Sequence, residues 1–245
     1  MKFGFLSTID NLLLPYLINI AIDKGVKNIF VILDSKLISE KDKKIWNKRT
    51  NGRFGIFEDY NINLYKLNKI DIPFYFVNNH NSPEAIELYK SLNLDYLLNA
   101  GTPRKISSKV LNINNIPKGV INIHPGKLPE YRGCSCVEWA ILNDDPIFNT
   151  IHFMDIDYDT GPIISSEEYL FKKNSNYFDI RNTVYLKGCE LASAVLLDLQ
   201  DKKISYKDAL IQEEKNSKFW NPTPDLIELD CIQKANNHKY KYQIL

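Results

Sequence analysis

The sequence predicts an α/β fold: a mostly parallel sheet with helices on both faces. Three observations carry this expectation. Apolar runs of strand length, such as Asn28–Leu33, are continuous rather than alternating, as in strands buried on both faces. Helical stretches separate these runs along the N-terminal half. The chain of 245 residues, 44% hydrophobic and 25% charged, is long enough to bury a sizeable core in one domain with an appendage.

In order, Phe3–Leu6 reads as a short strand and Leu12–Lys24 as a helix too densely apolar to be exposed on many sides. Asn28–Leu33 is the second strand, followed by the polar helical stretch Ser39–Lys48. Ile72–Val77 is the third strand. Ser82-Pro83-Glu84 then places an N-cap residue before a proline at the first helical position, opening a helix to about Leu92. Tyr96–Leu98 and Val120–His124 read as strands, Cys136–Leu142 as a helix, and Thr150–Met154 and Pro162–Ser166 as two more strands. A long helix, Phe178–Leu199, closes a domain of residues 1–200, with Gly188 marking close packing or a kink. The tail, 201–245, is charged, then aromatic and punctuated by Pro222 and Pro224, and is expected to form a hairpin.

Composition narrows the function classes. Ten Gly and eleven Pro exclude collagen-like chains, and the apolar content excludes wholesale disorder. A net charge of +1 argues against nucleic acid as the main partner. The stretch Leu12–Ile22 is too short for a membrane span and is interrupted by Pro15 and Asn19, so no membrane partner is expected. Four cysteines without a scaffold pattern read as reduced thiols, which implies a cytoplasmic protein.

In parallel sheets ligands bind beyond the carboxyl ends of strands, near a topological switch point. Two segments there carry chemistry. In Val120–Gly133, Asn122 and His124 share a strand face, and Pro125-Gly126 ends the strand, leaving an imidazole beside an amide at the ligand end. Read alone, the pair also fits a satisfied polar pair at a strand end. In Asp155–Pro162 three carboxylates alternate with apolar or aromatic residues before the turn Thr160-Gly161-Pro162. Such oxygen-rich spacing suits Mg²⁺ or Ca²⁺, or simply a solvated loop, but no further loop ligands follow and no metal is expected. Cys134 and Cys136 near His124 lack a second pair at zinc spacing.

Together the two segments resemble the folate-dependent formyltransferase family. The carriers are Asn122-x-His124-Pro125, Leu128-Pro129 and Asp159-Thr160-Gly161-Pro162, with a helix and a strand between His124 and Asp159. The resemblance implies a Rossmann-like formyltransferase fold and catalytic roles for Asn122, His124 and Asp159. It also implies that the co-substrate is N10-formyltetrahydrofolate. The loop Asn99–Ile106 looks like the family's pterin-binding loop, so Gly101, Thr102, Pro103, Arg104 and Ile106, with Leu128, Asp155 and Asp157, are expected to hold the folate.

The implied mechanism is attack of an acceptor amine on the formyl carbon. Asn122 would donate to the oxyanion, a contribution of about 2.7–4 kcal/mol. His124 would take the amine proton or steady the oxyanion. Asp159 would orient His124 or relay protons through a water.

Three acceptor branches are distinguishable within the resemblance. Ribonucleotide transformylases carry a glycine-containing phosphate loop after the first strand; here Ser7–Leu12 has no glycine and adds Asp10. Methionyl-tRNA formyltransferases are longer and present a basic surface. The remaining branch acts on nucleotide-linked 4-amino-4,6-dideoxyhexoses, such as dTDP-4-amino-4,6-dideoxyglucose, for O-antigen polysaccharide. It is the expectation here, with a homodimer as the default assembly. Asn79, His80 and Trp220 are the candidate substrate contacts. The basic segment Lys41–Gly55 fits either a pyrophosphate contact or a solvated helix and turn. The rivals are a ribonucleotide or other small-amine transformylase and a non-catalytic folate-binding protein.

Overall fold

Side chains alternate across a strand, so a strand covered on both faces must be apolar throughout. β1 (Phe3–Thr8) shows this, with all six residues buried. Phe3 and Phe5 join a core with Val31, Leu33 and Leu98, while Leu6 points the other way with Ile32 and Leu97. The computed structural model describes residues 1–55, 57, 71–112 and 118–245. Among them a seven-stranded sheet runs in the order β3-β2-β1-β4-β5-β7-β8. The members are β2 (Ile29–Asp34), β3 (Phe74–Val77), β4 (Tyr96–Asn99), β5 (Val120–His124), β7 (Ile147–Phe153) and β8 (Ile163–Tyr169). The first five pair in parallel, and β7 and β8 add antiparallel strands at one edge.

α1 (Leu14–Asp23) and α6 (Tyr177–Gln200) supply Leu14, Leu17, Ile18, Ala192, Val195 and Leu196 to the core on one face. α3 (Pro83–Ser91) covers the other face with Ala85 and Tyr89. Its start is set as expected, with Pro83 in the first turn and the Ser82 hydroxyl accepting from Ala85 N. α2 (Glu40–Thr50) is capped likewise by Ser39. α4 (Ser108–Leu111) is one turn. α5 (Cys136–Asn143) follows β6 (Arg132–Gly133) and is anchored by Glu138, fully buried and ion-paired to Arg49 and Arg181.

The chain order reverses between β1 and β4, the switch point at which ligands bind. There the strand ends are stitched together: the Ser7 hydroxyl and Asn11 amide both donate to Ala100 O, at 2.8 and 2.7 Å.

The tail does not form the expected hairpin. Its strand β9 (Phe219–Trp220) pairs with β6 in parallel, a geometry no two-residue turn can close. After Pro224 the chain enters α7 (Asp225–Asn236), which buries Glu228, Cys231 and Ala235 along one side. That stripe completes a second core with Tyr131, Val137, Ile141 and Tyr177. No described helix is long and apolar enough to cross a membrane.

Candidate active site

The site is assembled where the ends of β4, β5 and β7 meet. Parallel register sets Asn99 beside Asn122, and antiparallel register sets His152 on its other side. The hydrogens in this row follow from the backbone groups at its two ends. Asn99 Oδ1 accepts from Gly101 N and Thr102 N, so its Nδ2 is the donor to Asn122 Oδ1 at 2.9 Å. Asn122 Nδ2 must then donate to His152 Nε2 at 3.1 Å, because His152 Nδ1 gives its hydrogen to Phe153 O at 2.8 Å. One N–H of Asn122 is left without a partner among the described residues.

His124 closes the β5 strand and is 3% exposed. Its Nε2 lies 2.5 Å from Tyr131 O, which can only accept, so the ring's hydrogen sits on Nε2. Nδ1 is therefore bare and lies 3.4 Å from Asp159 Oδ2. Burial lowers the His124 pKa below 6.5, against the pull of Asp159, so the imidazole is neutral at pH 7. Two acceptors facing each other leave a gap that one arriving proton would bridge.

Asp159 sits in a tight turn with φ +59°, in the left-handed region. Two residues on, a Cβ at Gly161 would lie 1.9 Å from Phe153 O, so glycine is required for the turn to pass the strand. Asp159 Oδ2 accepts from Gly133 N at 2.9 Å, and Oδ1 lies 3.6 Å from His152 Nε2. Burial pushes the Asp159 pKa up, but the attraction of a proton on His124 and the Gly133 N–H outweigh it and hold the pKa at about 2.

Two cavities flank the Asn122 amide. A polar one of about 320 Å³ is walled by Asn122, His152 and Asp159 together with Thr102, Pro103, Arg104, Ile106, Asp155 and Asp157. An apolar one of about 330 Å³ is walled by Leu12, Leu13, Leu17, Ile38, Trp46 and Tyr185 among others, and Asp42 is its one charged wall residue among those described. Trp46 keeps a buried indole N–H with no acceptor among the described residues.

The residues expected from the sequence divide accordingly. Asn122 and Asp159 face the polar cavity, whereas His124 lines neither cavity and stands behind Asp159. Of the expected folate contacts, all but two line the polar cavity. Gly101 faces the apolar one, and its φ of +88° serves Asn11, whose Nδ2 would lie 2.2 Å from an added Cβ. Leu128 is buried and on the wall of neither.

The expected substrate contacts fare differently. His80 is fully buried, with Nε2 on Ile32 O and Nδ1 on the Thr102 hydroxyl, which leaves no ring atom for a ligand. Trp220 stacks on Tyr131 at 5.2 Å, packs on Trp139 and lies under Lys218, so its faces are taken. Asn79 is half-buried and its Oδ1 accepts from Asn81 N. The Lys41–Gly55 segment splits its basic groups, with Lys43 near Asp10, Lys48 on Glu228 and Arg49 on Glu138.

His152 belongs to the site although sequence reasoning did not place it there, and Asn99, expected only as the first residue of the pterin-binding loop, orients the Asn122 amide. The signal for both is register rather than spacing.

Comparison with known proteins adds the family. The model of the family described as "Formyl transferase" matches residues 18–196. Methionyl-tRNA formyltransferase of Clostridium tetani is 33% identical over 123 residues, 49% of this chain and 39% of that protein. The chain thus spans less than half the length of that relative. Among solved structures, a 4-N formyltransferase from Francisella tularensis superposes with a TM-score of 0.59 at 23% identity, covering 96% of this chain and 87% of that one. An N-formyltransferase of Helicobacter canadensis, in complex with folinic acid and dTDP-3-aminofucose, gives a TM-score of 0.55 at 16% identity, over 90% and 70%. The row of Asn122, His152 and Asp159, where β4, β5 and β7 meet, thus stands in a chain that belongs to the formyl transferase family.

Proposed function

We propose that this chain transfers a formyl group from N10-formyltetrahydrofolate to the amine of a nucleotide-linked amino-deoxy sugar. dTDP-4-amino-4,6-dideoxyglucose is the leading acceptor, used for O-antigen synthesis in a bacterial cytoplasm by a homodimer. One observation carries the reading: Asn122, which keeps an N–H unpaired among the described residues, lines two cavities of opposite character. The polar cavity suits the pterin, since Asp155, Asp157 and the 102–106 segment offer acceptors to its ring N–H and amino groups. The apolar cavity suits a deoxy sugar, whose methyl group and C–H face need apolar walls.

The loop after β1 argues against a phosphate at that end of the acceptor. Asp10 is buried there, accepting from Ile38 N, and the Ser7 and Thr8 hydroxyls donate to Ala100 O and Lys36 O. A second anion beside Asp10 would meet repulsion rather than a cradle.

Bound folate supplies an activated formyl carbon. The chain's own groups do the rest. Asn122 Nδ2, its direction locked by Asn99 and His152, meets the oxygen that gains charge as the amine adds. Asp159, ionised and facing the cavity, takes up the ammonium charge that develops on the amine. The released proton is held on His124 Nδ1, behind Asp159, and returns through Asp159 to the folate N10 as the bond from N10 to the formyl carbon breaks, so the folate leaves with an N–H and the protein keeps no proton. This order differs from the expectation that His124 itself faces the amine.

The test is incubation with N10-formyltetrahydrofolate and a panel of amines, with mass detection of an added formyl group. Formylation of amino-deoxy sugar nucleotides is expected. Transfer to glycinamide ribonucleotide but to no sugar nucleotide would sink the acceptor assignment.

A further inference from the structure

The stretch 210–223 runs as a strap across the back of the site, beyond the residues matched by the family. Leu210 exchanges two backbone bonds with Ile163. Farther on, Arg132 N and Cys134 N donate to Lys218 O and Trp220 O, and Thr223 N donates to the Ser135 hydroxyl. The strap therefore touches both the turn that carries Asp159 and the loop whose Tyr131 carbonyl holds His124.

Between these anchors lies Gln212. Its Nε2 donates to Asp159 O at 3.0 Å and to Gly161 O at 2.7 Å, spanning the turn on both sides of Thr160. Its Oε1 accepts from Arg132 Nε and Nη2 at 3.1 and 2.9 Å. Arg132 is 6% exposed, and the next residue, Gly133, gives its N–H to Asp159 Oδ2. One amide thus fixes the main chain of the Asp159 turn, while the residue after its own anchor fixes the carboxylate. The left-handed backbone of Asp159 needs such outside support, because a non-glycine residue does not favour it unaided.

We propose that Gln212, oriented by Arg132, is a positioning residue that sets where the Asp159 carboxylate stands relative to His124. The consequence for catalysis rests on the role given to Asp159 above; the consequence for geometry does not. The groups facing His124 are Asp159 from the turn, His152 from β7 and the Cys136 thiol from α5. Of these, Asp159 alone is held by the strap.

Two variants and one backbone probe decide it. Gln212→Ala removes both halves of the clamp. Gln212→Glu still accepts from Arg132 but cannot donate to the two turn carbonyls. Amide hydrogen exchange at Gly133 reports the carboxylate directly, because Asp159 is the acceptor recorded for that N–H, and the Arg132 and Cys134 amides report the strap itself. In Gln212→Glu, Gly133 exchange is expected to accelerate about tenfold or more, with Arg132 and Cys134 unchanged. Turnover is expected to fall about tenfold, with KM for both substrates within about twofold. Unchanged Gly133 protection in both variants, or equal loss at all three amides in Gln212→Glu, overturns the proposal. Accelerated Gly133 exchange in a protein that formylates no amine would uphold the clamp and remove the functional reading instead.

Discussion

His80 follows β3 and His124 closes β5, both at the carboxyl ends of parallel strands, both buried and both with burial lowering the pKa. They differ in what the second ring nitrogen meets. His80 has a carbonyl on one side and a hydroxyl on the other, so its hydrogen-bonding capacity is spent. His124 has a carbonyl on Nε2 and a carboxylate on Nδ1, two acceptors competing for one hydrogen. The first ring is at rest in its pocket. The second is one proton short, and that deficit separates a group able to do chemistry from one that holds a loop together.

The same substitution at both positions sharpens the contrast. His124→Gln keeps an N–H for Tyr131 O but removes the bare nitrogen, and turnover is expected to fall about 10²-fold or more. Asn122→Ala, which removes the donor to the developing oxyanion, is expected to cost about 10²–10³-fold. Either variant retaining near-normal turnover in a steady-state assay would take that residue out of the mechanism.

A smaller loss is expected from Asn99→Ala, about tenfold in turnover, because the Asn122 amide would be free to turn while its contacts with substrate survive. The pH profile carries a sign. The proton site must be empty, and burial has lowered its pKa, so the rate should hold as pH falls through 6.5 and drop only below it. A limb above 6.5 would mean that another group controls the rate. Smallest in turnover is His80→Gln, expected within about twofold, with Tm lowered by about 2–4 °C as the Thr102 bond is lost. A large turnover loss there would erase the distinction between the two histidines.

What was legible in the sequence was local. A strand's period of two puts Asn122 and His124 on one face, and Gly161 marks a turn that must pass close to a backbone, so the core of the site could be read from short patterns. The α/β architecture was legible for the same reason, since Ile29–Leu33 is apolar on both faces because both are covered. Partners set by strand pairing were not. His152 reaches Asn122 because β7 runs antiparallel to β5 in one register, and a slip of a single residue would have turned it to the other face. Gln212 reaches Asp159 from across the chain, and nothing near residue 212 signals it. His80 illustrates the converse error, since a polar residue beyond a strand end looks open until the arginine and carboxylate layer of Arg104 and Asp34 is seen beneath it.

The wall that carries Asn122 has a kinetic consequence. Two chambers that meet at Asn122 would let either ligand arrive without waiting for the other, with the reacting groups brought together beside that side chain and no fragment left on the protein. Initial-rate plots at varied concentrations of both substrates should therefore converge rather than run parallel, and either product should be able to depart first.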